Sequence, residues 1–250
     1  MRHLAAAIFA MCVLCRAAFG SGASEDESFS CSGVETVSVN AGFLDVEIRG
    51  DDGPVVSMSS DLPPDSPFGG RGYKLLHEVD GARLKVWLEK DWPLDLPAGG
   101  TLSLLCPRGA ELKVESVSGR ITVERMRGRN YALRTVSGQI SVQESRGTLS
   151  AASVSGKIVL DADQGKVTVR TVSGAIEGRG LDVEEDSSFS TISGNVDIRL
   201  DTPLDSLRFD LRSLSGRIVV GNIRAERGLK MGTDGALVRG HSVSGALIFR

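Results

Sequence analysis

Ser116-Val117-Ser118-Gly119, followed by Arg120-Ile121-Thr122-Val123, decides the fold, because the same pattern returns six more times along the chain. The copies are Thr135-Val136-Ser137-Gly138, Ser153-Val154-Ser155-Gly156, Thr171-Val172-Ser173-Gly174, Thr191-Ile192-Ser193-Gly194, Ser213-Leu214-Ser215-Gly216 and Ser242-Val243-Ser244-Gly245. Their glycines are separated by 19, 18, 18, 20, 22 and 29 residues. A motif returning at that period marks a repeat architecture, in which one unit cannot bury its apolar face alone and stacked units can.

Within a copy, Val117, Gly119, Ile121 and Val123 alternate with Ser118, Arg120 and Thr122, and later copies give Val136-Gly138-Ile140-Val142 and Val154-Gly156-Ile158-Leu160. Period-two alternation of β-branched residues predicts half-buried strands, with the valine and the glycine of the motif in the inward row. A glycine in that row either makes a bend or lets a neighbouring backbone approach closely. A second apolar pair lies upstream, as in Leu112/Val114, Tyr131/Leu133 and Val167/Val169. Its odd offset from the motif predicts a parity switch, hence corners at Arg134-Thr135, Arg170-Thr171 and Arg212-Ser213. Each unit therefore reads strand, corner, strand, then a polar return holding a glycine (Gly128, Gly147, Gly165).

Equivalent strands recur in one orientation, which favours a single-domain parallel β-solenoid of about 18–20 residues per coil over antiparallel hairpins. Residues 34–110 read as a degenerate N-terminal part of the same solenoid or its cap. Tyr73–Val79, Asp80-Gly81 and Arg83–Leu88 form a hairpin pattern there, and 61–72 is a Pro- and Gly-rich loop. Residues 111–250 hold the seven copies. The last, Val243-Gly245-Leu247-Phe249, runs to the terminus, so its strand is expected to leave an open edge for self-association or partner docking. The competing expectation is that the interval containing Arg224 to Gly235 folds over the last coil.

The chain opens with Arg2, an uncharged stretch from Leu4 to Cys15, then Arg16 and small residues. That layout predicts a secretory leader over 1–20, followed by a polar linker at 21–33. The stretch is too short for a permanent membrane helix, and nothing after Gly20 reads as a span. Cleavage after Gly20 removes Arg2 and Arg16, taking 29 basic residues to 27 against 32 acidic, a net charge of −5. Nucleic acid is an unfavoured partner for such a chain. A lipoprotein leader using Cys12 or Cys15 is the minor alternative, since Met11 and Leu14 precede them where a small residue is wanted.

Cys31 and Cys106 remain; in an oxidising compartment they either pair or stay as two buried thiols. The carboxylates (Asp161/Asp163, Asp182 to Asp186, Asp197/Asp201/Asp205) repeat in no ligand-like pattern, and only His77 and His241 remain after the leader. No metal, cofactor or catalytic residue is assigned, and an enzyme is not expected. Two Ser/Thr columns are expected to line one side. Ser116, Thr135, Ser153, Thr171, Thr191, Ser213 and Ser242 form one, and Ser118, Ser137, Ser155, Ser173, Ser193, Ser215 and Ser244 the other, and their first role is to brace the corner. A flat binding face is the second reading of these columns, with Arg134, Arg170 and Arg212 as candidate contacts for anionic glycan, phosphate or lipid headgroups. Scattered salt pairing to Glu124, Glu144 and Asp161 is the default for the arginines.

Leu102–Gly109, then Leu112-Lys113-Val114 and the repeated Val-Ser-Gly-x-Ile, resemble the bacterial envelope adhesin-like family with β-strand repeats, over roughly residues 34–250. The resemblance implies a β-solenoid, a periplasmic or surface location, and a part in surface attachment or envelope stress, without catalytic residues. The expected function is a binding or scaffold module for an envelope, glycan or protein ligand. An envelope-stress sensor is the alternative, and a polysaccharide-active enzyme the weakest reading.

Overall fold

Rows of Val, Ile and Leu spaced by two fold here as paired strands with one wall of side chains facing inward. The computed structural model describes residues 29–62, 73–90 and 99–250, together with the two-residue strand Ala17–Ala18. The rest of the expected leader and most of the linker lie outside these residues, as do 63–72 and 91–98.

Each coil contributes one strand to each of two sheets. In the first sheet, Asn130–Thr135 lies between Glu111–Glu115 and Arg146–Ser153, parallel to both, and Gln164–Thr171 and Ser187–Thr191 continue the stack. In the second, Ile121–Glu124, Ile140–Gln143, Ile158–Asp161, Ile176–Val183 and Val196–Leu200 pair in the same order. The two inner rows make one core, in which Ile121, Leu133, Ile140, Ile158, Ile176 and Phe189 are fully buried. This is the parallel β-solenoid that the repeat predicted. Three consecutive second-sheet strands turn into their returns through a left-handed residue, Arg125 (φ 57°), Glu144 (φ 50°) and Ala162 (φ 53°).

Space and sequence disagree on order at both ends. The coil made by Thr36–Asn40 and Asp45–Asp51 is inserted between the coil of Arg83–Lys90 and Thr101–Pro107 and that of Glu111–Glu124. The C-terminal coil does the same. Leu237–Ser244 lies between Ser187–Thr191 and Arg208–Ser215, and Leu247–Phe249 between Val196–Leu200 and Ile218–Val220. Packing explains the insertion. Phe249 fills the space between Phe189 and Phe209, edge-on to each at 5.8 and 5.7 Å, and Gly240 leaves room for Leu211 and Phe249.

The open C-terminal edge expected from the sequence is therefore corrected. The final strand is paired on both sides, so self-association through that coil has no free edge to use. The interval before it does cap, but it caps the coil of Arg208–Val220. Ile223–Ala225 and Gly228–Met231 add antiparallel strands there. At the other end Val55–Asp61 and Tyr73–Asp80 add antiparallel strands, the latter as a hairpin turning at Gly81-Ala82. Ala17–Ala18 pairs with that hairpin at Leu76 and His77.

Candidate functional site

The motif builds the corner between the two sheets, one step later than its spacing suggested. The first-sheet strand keeps its parity through the hydroxyl residue, so Tyr131, Leu133 and Thr135 all face inward and Arg134 outward. Arg134, Arg170 and Arg212 accordingly lie within strands, not at corners. The chain bends at Val136-Ser137 and its equivalents. The inward hydroxyl fixes that bend by accepting the N–H of the motif glycine, at 3.0 Å for Ser116–Gly119, 3.1 Å for Thr135–Gly138 and 2.8 Å for Ser153–Gly156. Thr171–Gly174 and Thr191–Gly194 repeat it at 3.0 and 2.9 Å. Each hydroxyl thereby pairs a buried backbone donor.

The next coil satisfies the rest. Val136 and Ser137 both donate to Val117 O, Val154 and Ser155 to Val136 O, and Val172 and Ser173 to Val154 O. The glycines are required by space. A Cβ on Gly138 would stand 2.0 Å from Gly119 O, one on Gly174 2.0 Å from Gly156 O, and one on Gly194 1.9 Å from Gly174 O. The ladder continues from Gly194 to Gly245 and from Gly245 to Gly216, at 2.0 and 2.1 Å, in the order of the stack and not of the sequence.

This geometry overturns the expected placement of the motif's apolar residue. With the hydroxyl and the glycine turned inward, the two residues between them must face out. Val117, Val136, Val154, Val172, Ile192 and Leu214 are 40 to 73% exposed, and Val243 is half-buried. They form an apolar ridge along the corner, in the stack order 117, 136, 154, 172, 192, 243, 214. Beside it run the exposed hydroxyls of Ser118, Ser137, Ser155, Ser173, Ser193, Ser244 and Ser215. Three of these hydroxyls make long bonds, 3.3 to 3.5 Å, to the carbonyl of the preceding coil.

The outward row before the ridge holds Glu115, Arg134, Ala152, Arg170, Ser190, His241 and Arg212. The outer serines and these arginines therefore lie along one edge. What sequence reasoning missed is the apolar line between them. The available signal was the fixed hydroxyl-x-x-Gly spacing, which a capped corner explains better than a continuous strand.

Elsewhere the polar groups are mostly structural. Arg49 donates twice to Glu124 Oε2, at 3.1 and 2.9 Å, across a shallow depression of about 390 Å³ that Glu47, Ser57, Ser59 and Thr122 also line. Arg146 pairs with Glu184 at 2.8 Å and Lys157 with Glu177 at 2.8 Å, as surface pairs that contribute little. Asp163 is buried. Its Oδ1 accepts the Ser145 N–H at 3.0 Å, Oδ2 has no partner, and burial pushes the carboxyl up to about 7. Tyr131 accepts the Gly128 N–H, donates to Arg146 O at 2.8 Å, and its phenol is raised by burial.

Cys31 and Cys106 are free thiols. Cys31 stands opposite Val56, and extending the Ser57–Leu105 register by one residue sets Val56 opposite Cys106. One strand thus separates the two, about twice the strand spacing of 4.8 Å, beyond the Cα reach of a disulfide. Burial raises both thiols, Cys106 to about 12. Among the described residues no three His, Cys, Asp or Glu side chains converge as a metal site, and no helix is long and apolar enough to cross a membrane.

Residues 108–238 match the sequence profile of the family described as Toastrack DUF4097. No curated protein matches the chain. Among solved structures, a "putative cell adhesion protein" from Clostridium sporogenes is similar at 10% identity and a TM-score of 0.41, over 90% of this chain and 99% of that one. A "putative lipid binding protein" from Parabacteroides distasonis is similar at 15% identity and a TM-score of 0.44, over 92% and 96% of the two chains.

Proposed function

The chain belongs to the Toastrack DUF4097 family, and from that premise we propose that it is an exported, non-enzymatic binding module of the cell envelope, presenting its solenoid corner as a rigid surface. The observation that carries this reading is the corner itself. Seven coils repeat the same outward pair, one apolar residue and one serine, on a backbone fixed in five of them by a hydroxyl–glycine hydrogen bond and by carbonyl ladders between coils. Inward repetition serves folding. The outward apolar residue contributes nothing to the core, so its repetition calls for a role at the surface.

The leader-like start at Arg2 to Gly20 supports export. Fractionation of cells making the full chain tests it: shortened protein is expected in the envelope or periplasmic fraction, and full-length protein confined to the cytoplasm overturns the reading. Purified protein is expected to leave acidic polysaccharides intact with or without calcium, and cleavage of any of them overturns the non-enzymatic part. Co-purification from envelopes separates a binding module from a stress sensor, since only the sensor needs a stable signalling partner.

A further inference from the structure

The corner ridge carries a more specific assignment, which rests on the envelope reading above. Seven apolar residues stand in line, one per coil at the strand spacing of about 4.8 Å, so the ridge is roughly 29 Å long, straight and convex. Holding coils together does not require them to be apolar. Threonine has valine's shape and β-branching, and the chain uses Ser or Thr freely at the positions just before and just after, yet never in the ridge. The charge beside the ridge is one-sided. The flanking rows contain Arg134, Arg170 and Arg212 on one side and Arg120, Lys157 and Arg217 on the other, against the single carboxylate Glu115. Arg120, Arg170 and Arg217 have no ion pair among the described residues, Arg134 reaches Glu115 only at 3.9 Å, and Arg212 and Lys157 pair with Asp210 at 3.5 Å and Glu177 at 2.8 Å. This cationic edge belongs to a chain whose formal net charge is −3.

We propose that the ridge docks the protein edge-on to an anionic lipid bilayer. The valines, isoleucine and leucine enter the interfacial layer while the flanking guanidiniums pair with lipid phosphates. A straight convex line suits a flat partner better than a pocketed one, and the acidic remainder of the surface is then repelled from the membrane, which sets the orientation.

Flotation of the purified full-length protein with vesicles of mixed phosphatidylglycerol and phosphatidylcholine, against phosphatidylcholine alone, tests this. The wild type is expected to float with the anionic vesicles and to be released by raised salt. V136T/V154T/V172T keeps shape and β-branching at exposed sites, so its melting temperature is expected to hold while binding falls about tenfold. R134Q/R170Q is expected to lose roughly 25-fold, about fivefold per arginine, together with most of the salt dependence. A wild type that stays unbound at low salt overturns the proposal. So does a threonine variant that floats undiminished, which is also the result if binding comes from the leader. Ridge-dependent cross-linking to an envelope protein without vesicle binding assigns the edge to a protein partner and overturns the lipid assignment. Cell fractionation keeps the two readings apart: exported protein that ignores vesicles refutes the ridge assignment alone, and ridge-dependent vesicle binding by a protein that is never exported refutes the envelope reading.

Discussion

Replacing Gly156 with alanine, the smallest residue with a Cβ, asks whether the corner depends on backbone contact between coils. The backbone of Gly156 is not in the left-handed region, so the substitution tests space and not conformational freedom. The new Cβ would lie 1.7 Å from Gly138 O, 2.7 Å from Gly138 C and 2.8 Å from Ser153 Oγ. Ordinary contact begins near 3.4 Å, so the two coils must separate locally by about 1.7 Å. That separation breaks the bonds of Val154 N and Ser155 N to Val136 O, now 3.2 and 2.9 Å, and strains the 2.8 Å bond from Gly156 N to Ser153 Oγ. Three hydrogen bonds at about 1 kcal/mol each, with about 1–3 kcal/mol of overpacking, give a loss of roughly 4–6 kcal/mol. Measured against a typical domain stability of about 5–15 kcal/mol, that is severe. Urea unfolding followed by far-ultraviolet circular dichroism reads it, with Ser155→Ala, one residue away and exposed, expected to stay within about 0.5 kcal/mol. A Gly156→Ala midpoint equal to wild type would refute the argument that the neighbouring carbonyl excludes a side chain.

Thr171→Val keeps shape but removes the acceptor 3.0 Å from the Gly174 N–H, and Thr171 is buried, so thermal melts are expected to show a loss of about 1–3 kcal/mol; an unchanged melt would mean the hydroxyl does not set the corner. Asp163, held near 7 in the folded chain against an ordinary 3.8, keeps its proton between about pH 4 and 7 while the unfolded chain has released it, so it makes stability fall as pH rises through that window. Asp163→Asn is expected to flatten that fall, by up to about 4 kcal/mol, and equal pH slopes for the two proteins would show that the carboxyl is not buried as described. Cys106 is expected to resist alkylation in the native protein, and denatured, unreduced protein lacking residues 1–20 to yield two titratable thiols; finding none would establish the disulfide.

The repeat by itself determined the architecture. A Ser/Thr-x-Ser-Gly copy every 18 to 22 residues, with one longer interval of 29, flanked by β-branched alternation, leaves few ways to bury the apolar rows other than stacked coils. Cys31 and Cys106, the outer serines and the three arginines were all legible as residues of interest, and the serines and arginines do share an edge. Period-two reading could not tell which way the motif's valine points, because alternation fixes relative faces only within a strand and a corner resets them. Only the folded chain shows the hydroxyl turning in to hold the glycine N–H, which forces the valine out and makes the ridge. Nor does local pattern fix which coil lies beside which. All coils offer similar edges, so long-range packing chooses: Phe249 fits between Phe189 and Phe209, and the last coil is drawn into the interior of the stack. Local hydrogen bonding wrote the coil into the sequence, whereas the order of the coils and the outward ridge depend on contacts between residues far apart in the chain.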